Sequence, residues 1–232
     1  MQSRVDIHLI SVGTLHLNYG YIMTLYEAAQ ALRTKMWRTA GARFNCQRRM
    51  KYRDTISSFT IAILSVYLIA ISVAQKIYNV GQHNPAFDNH LTFIAIVGSV
   101  FIIVVSLIEW AGGFSVRAEQ LFENATEINL HRARLERALI DGVPVETLQS
   151  EFEAVSLEYE KLVDKHSPNH DPIDDLLFRS HNRTEPHPSF RMNWFYAMFI
   201  ETKWLFATFG LYLLLLLAFP LAVFCTIAGA GL

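Results

Sequence analysis

Charge is missing from three long stretches of this 232-residue chain, Ile56 to Ala74, Leu91 to Ile108 and Trp204 to Ile227. Each is about 18 to 24 residues long, enough for a helix rising about 1.5 Å per residue to cross a hydrocarbon core of ~30 Å. Acid is missing from the segment Arg33 to Arg53, which holds eight basic residues. Cysteine is nearly missing, with only Cys46 and Cys225, so no disulfide framework holds the fold. A phosphate-binding glycine loop and a nucleophile elbow are absent as well, which excludes the nucleotide and hydrolase chemistry those motifs carry. No catalytic constellation and no cofactor motif remains, and the expectation is a protein that is not an enzyme.

What is present has a membrane layout. The three apolar runs define an all-α integral membrane protein, and the basic block sets its orientation. Arg33, Lys35, Arg38, Arg43, Arg48, Arg49, Lys51 and Arg53 precede the first run, whereas Gln75 to His90 carries only Lys76 and Asp88. Positive charge stays on the cytoplasmic side. The expected topology therefore has a cytoplasmic N-terminus, a short external loop, a cytoplasmic segment from Glu109 to Lys203 and a third span running outward. Cys46 and Cys225 then lie on opposite sides. The first run starts too late and is too long for a cleavable signal peptide.

Five parts follow: 1–54, a cytoplasmic segment with an amphipathic helix and the basic block; 55–112, a transmembrane hairpin; 113–165, a cytoplasmic helical hairpin; 166–203, a linker and juxtamembrane segment; and 204–232, the third transmembrane helix. Residues 1–54 carry nine basic and three acidic residues, and 109–203 carry ten basic and seventeen acidic. Segments of opposite sign attract, within or between protomers. The basic block has two open uses, contact with anionic lipid headgroups or a specific contact with a protein or nucleic acid.

Val5, Ile7 and Leu9 alternate with polar residues, as in a short strand. Ile22, Leu25, Ala29, Leu32 and Met36 recur at helical spacing, and the Ala in this narrow seam favours packing on a bundle over lying at the membrane interface. Phe114, Ala118, Leu121, Ala125, Ile128, Arg132, Leu135 and Leu139 keep a heptad spacing that resumes with Val145, Leu148, Phe152, Val155, Tyr159 and Leu162. The Asp141-Gly142-Val143-Pro144 turn between them implies an antiparallel helical hairpin. Its first helix continues out of the second span, with Gly112-Gly113 as a kink. Residues 166–189, rich in Pro, His, Asn and Asp, read as a loop. Trp194 and Trp204 belong at headgroup depth.

His166, His170, Asp171, His181 and His187 have metal-ligand chemistry but no rigid frame, so no metal is expected. Asn84-Pro85-Ala86 matches a water-channel tripeptide that those channels use twice, and it occurs once here. Asn124 and Asn182 head glycosylation sequons that the topology places in the cytoplasm.

The spans hold one patterned feature. Ser58, Ser65 and Ser72 repeat every seven residues in the first, and Thr92, Ser99 and Ser106 do so in the second, followed by Glu109. Such stripes let helices pack closely, or they line a water-filled path on which a ring of Glu109 favours cations. Leu211 to Leu217, leucine apart from Tyr212, suits lipid contact, so the third span reads as an anchor or outer wall.

The basic run ending Arg48-Arg49-Met50-Lys51-Tyr52-Arg53, the spans at 56–74 and 91–108 and the heptad hairpin after Glu109 form a set. Over roughly Arg33 to Asp164 it resembles the SLATT group of two-span membrane effectors from bacterial conflict systems. The resemblance implies a toxin-like, homo-oligomeric effector of the bacterial inner membrane that permeabilises it when a cytoplasmic sensor detects phage. Implied partners are nucleotide-signal synthetases, nucleotide-sensing domains and retron reverse transcriptases with their RNA-linked DNA. This chain has no nucleotide pocket of its own, which points to a separate partner as sensor, and the last of these is the first choice. The alternative is a non-conducting scaffold that tethers a cytoplasmic complex through the hairpin.

Overall fold

Proline punctuates this fold. None occurs before Pro85, and nothing interrupts helix α1 from Val5 to Ile77. A computed structural model describes the backbone of residues 5–165 and 170–229 and the side chains of 24–164, 170–226 and 228. After α1 come the single turn α2 (Val80–His83), α3 (Pro85–Gly112), α4 (Phe114–Ile140), α5 (Val145–Lys165), α6 (Pro172–His181), a 3-10 turn (Pro188–Phe190) and α7 (Trp194–Gly229). Pro85, Pro172 and Pro188 each open an element, where proline's missing N–H and fixed φ are tolerated. Pro220 lies inside α7.

Several boundaries correct the sequence expectation. Val5, Ile7 and Leu9 start α1 and form no strand. Their short alternation has no partner strand, and a helix satisfies its own backbone groups without one. The seam helix and the first span are one element. The kink expected at Gly112-Gly113 is where α3 passes into α4, at Gly113, whose φ of 57° is left-handed and suits glycine. Gly142, at φ 60°, turns α4 into α5. The expected loop at 166–189 contains α6, and α7 begins ten residues before the charge-free run. His166 lies outside the described residues. Asn84 caps α3 by accepting from the Phe87 N–H at 3.1 Å, with Pro85 in the first turn, so the Asn-Pro-Ala tripeptide is a helix start.

The helices divide into two compact units, 1–45 with 120–179 and 46–119 with 180–232. The first is a helical bundle. Ala29, Met36 and Ala40 of α1 meet Ala125, Ile128 and Leu135 of α4 and Val155, Tyr159 and Leu162 of α5 in one core. The heptad residues at these positions and the α1 seam thus bury one another, as the narrow, Ala-containing seam requires. α6 is held on α1 by its first turn and its centre. Phe178 meets Trp37 edge-on at 5.0 Å and lies where a Cβ on Gly41 would be, and the Asn45 side chain donates to the Asp174 carbonyl at 3.0 Å.

In the second unit, α1, α3 and α7 are long and apolar enough to span a membrane. Only 22 %, 6 % and 11 % of their most apolar windows are buried within the protein. Helices this apolar and this exposed cannot be soluble core elements, and lipid is the solvent that suits them. α7 packs through Phe219, which stacks on Tyr67 at 6.1 Å and approaches Gly98.

Candidate functional site

The spanning helices carry two polar places. The first is a cleft of about 870 Å³ between α1 and α3, lined among others by Ser72, Gln75, Lys76, Asp88, Thr92 and Ser99. It joins three members of the two hydroxyl stripes. Gln75 crosses it and donates to the Asp88 carboxylate at 2.8 Å and to the Thr92 hydroxyl at 3.1 Å. The serines do not bond across the helices. Ser58, Ser65, Ser72, Ser99 and Ser106 each donate to the carbonyl four residues back. A serine bonded in this way tolerates apolar surroundings and keeps its oxygen lone pairs for water or a partner. Ser58, Ser65 and Ser106 lie on the same helices but outside the cleft lining.

The second place is at Glu109. The sequence reading leaves it at the end of a stripe that either packs helices or lines a path. In the structure it accepts the Tyr212 hydroxyl of α7, with Oε1 and Oε2 at 3.0 and 3.1 Å. Tyr212 is buried, whereas Leu211, Leu213, Leu214 and Leu217 are exposed. The third helix is therefore more than an outer wall: those four leucines face away from the protein and Tyr212 faces in. The guanidinium of Arg53 lies over the Phe114 ring at 4.3 Å and beside the Tyr212 hydroxyl. Thr60 and Thr208 are buried nearby in sequence on α1 and α7, and Thr208 donates to the Trp204 carbonyl. Trp204 is buried with its ring edge-on to Tyr52, while Trp194 is exposed.

The basic block is largely used inside the protein. Arg33 pairs with Glu136 at 3.2 Å, and Arg38 grips Asp175 with two hydrogen bonds of 2.6 Å. The bonds to Asp175 raise the Arg38 pKa above its ordinary value. The attraction between oppositely charged segments thus operates within one protomer. Lys35 lies over the Tyr159 ring. Arg43 is 1 % exposed, and burial lowers its pKa; Nη1 donates to the Leu162 carbonyl at 3.5 Å. Asn124, also buried, donates to the same carbonyl at 2.9 Å, so its sequon nitrogen is inside the bundle. Arg49 is buried too, and Arg48 and Lys51 are exposed.

The histidines are spread out. His181 is 3.6 Å from Glu201, and His187 caps the 3-10 turn through the Ser189 N–H. His170 sits beside Arg43, Asp174, Asp175 and Arg38. No group of three metal-ligating side chains occurs among the described residues.

Sequence reasoning missed Tyr212 and Gln75 as site residues. Tyr212 had a signal, being the one polar residue in a leucine run. Gln75 had none, since it ends a span where polar residues are common.

These features define an all-α membrane protein that carries a helical bundle as well as its spanning helices. The chain belongs to SMODS and SLOG-associating 2TM effector domain family 5, which matches residues 25–226. The match runs beyond the two-span hairpin to include α6 and most of α7, so the third apolar helix is part of the family domain. No curated protein and no solved structure matches the chain.

Proposed function

We propose that this chain is a homo-oligomeric effector of the bacterial inner membrane, with a cytoplasmic N-terminus, that depolarises the membrane when a cytoplasmic sensor releases it. It acts without catalysis or a cofactor. The cleft carries the reading: an otherwise apolar hairpin gathers Ser72, Thr92 and Ser99 beside Gln75, Lys76 and Asp88, and wet hydroxyl-lined surfaces suit ion passage. The bundle is the docking element for the sensor. The family description points to a partner of the SMODS or SLOG kind; a reverse transcriptase with its RNA-linked DNA is the other partner class that fits a chain lacking a nucleotide-binding motif.

A second reading, the non-conducting scaffold, is favoured by one observation. The stripe serines are already bonded to their own backbones, so nothing obliges them to meet water. Membrane potential separates the two. A potential-sensitive dye is followed in bacteria expressing the chain alone, and then with its neighbouring genes. Depolarisation by the chain alone, suppressed by a neighbour, is the expected result. An intact potential in every combination, phage challenge included, sinks the effector reading in favour of the scaffold.

A further inference from the structure

Glu109 follows the second hydroxyl stripe beyond the lining of the cleft, and its carboxylate is turned to α7. The Tyr212 hydroxyl has one proton to donate and lies almost equally far from both oxygens, at 3.0 and 3.1 Å. Tyr212 is 1 % exposed and Glu109 is half-buried, so the bond joins a shielded hydroxyl to a carboxylate at the protein's edge. Arg53 stands beside the same hydroxyl and over Phe114, which puts a residue from each of α1, α3 and α7 at one junction. The Thr60 hydroxyl, 1 % exposed on α1, has no hydrogen-bond partner among the described residues.

Beyond Tyr212 toward the C-terminus, the contacts of α7 are of a different kind. Phe219 on Tyr67 and Gly98 is apolar packing, and lipid tails offer much the same to those rings. A hydrogen bond to a carboxylate is the contact that lipid cannot replace. We propose that Tyr212 is a catch: it holds α7 on α3 and keeps Glu109 occupied in the closed state, and its release turns the Glu109 carboxylate to the pathway, where it favours cations. This rests on the reading of the chain as a permeabilising effector.

The test uses the full chain in vesicles of phosphatidylethanolamine and phosphatidylglycerol. Potassium efflux is compared for the wild type, Tyr212→Phe, Glu109→Gln and the double variant. Phenylalanine keeps the ring and removes only the hydroxyl. Loss of a hydrogen bond to a charged group predicts efflux raised about tenfold or more in Tyr212→Phe, and the added Glu109→Gln change removes that gain. Spin labels at positions 103 and 214, with both native cysteines replaced, read the α3–α7 distance in the same vesicles. The distribution broadens in Tyr212→Phe if the catch is real. An unchanged distribution with wild-type efflux overturns the catch. Broadened distances without efflux from any variant overturn the permeabilising reading and the role given to Glu109, and leave Tyr212 as a helix restraint.

Discussion

Single residues decide how α6 is seated. A Cβ on Gly41 would overlap the Phe178 ring, so Gly41→Ala forces the ring out. Overpacking of this kind costs about 1–3 kcal/mol, more than the ~1 kcal/mol that alanine returns as a better helix former. The expected outcome is a lower denaturant midpoint in detergent and faster proteolysis near α6; an unchanged midpoint would show that the ring has room to move. His170 adds a pH dependence. Burial holds its pKa below the ordinary histidine value, Arg43 and then Arg38 act in the same direction, and Asp175 and Asp174 oppose them. The unfolded chain therefore takes up the proton at higher pH than the folded one. Stability from His170 is fully present above the unfolded value of about 6.5 and is lost as pH falls from there toward the lower folded value. The thermal midpoint should drop between about pH 7 and pH 5.5, and His170→Gln should flatten the drop. Glu151, whose pKa Arg134 lowers through a hydrogen bond, acts only below the ordinary carboxylate range, so the two effects separate on the pH axis.

At the level of elements, the bundle depends on the seams of α1, α4 and α5 meeting in one core. Leu135 is fully buried in that core with Ile128 and Val155. Leu135→Ala should lower bundle stability by about 2–5 kcal/mol, read as a shifted urea transition in detergent, while membrane insertion is retained. Loss of insertion as well would mean that the spans need the bundle. These seams were legible because 3.5-residue periodicity depends only on which face is apolar. α6 was not legible: it is ten residues long, and it is held by Asp175 on Arg38 and Phe178 on Gly41, partners more than 130 residues away in the chain. Its composition alone matches that of a loop.

For the whole molecule, the cleft gives the pathway proposal its sharpest targets. Ser72 and Ser99 both line it and Ser65 does not. Replacing Ser72 and Ser99 together with leucine should keep the protein in the membrane and abolish depolarisation on expression, whereas Ser65→Leu alone should change it little. Undiminished depolarisation in the double variant removes the cleft from the pathway. The basic block shows why charge patterns do not reveal their use. Lysine and arginine before a span satisfy the inside rule wherever their side chains point, and here Arg33, Arg38 and Arg43 turn into their own bundle.

The sequence by itself determined that this is an all-helical membrane protein with three spanning segments and a helical hairpin. Uninterrupted apolar length, heptad spacing and the position of each proline and turn glycine are local quantities, readable without a fold. Only the tertiary structure decided that the basic block is paired within the chain, that α6 docks on Gly41, and that Tyr212 of the third helix holds Glu109. Those are contacts between residues far apart in the chain, and their geometry exists only once the helices have packed.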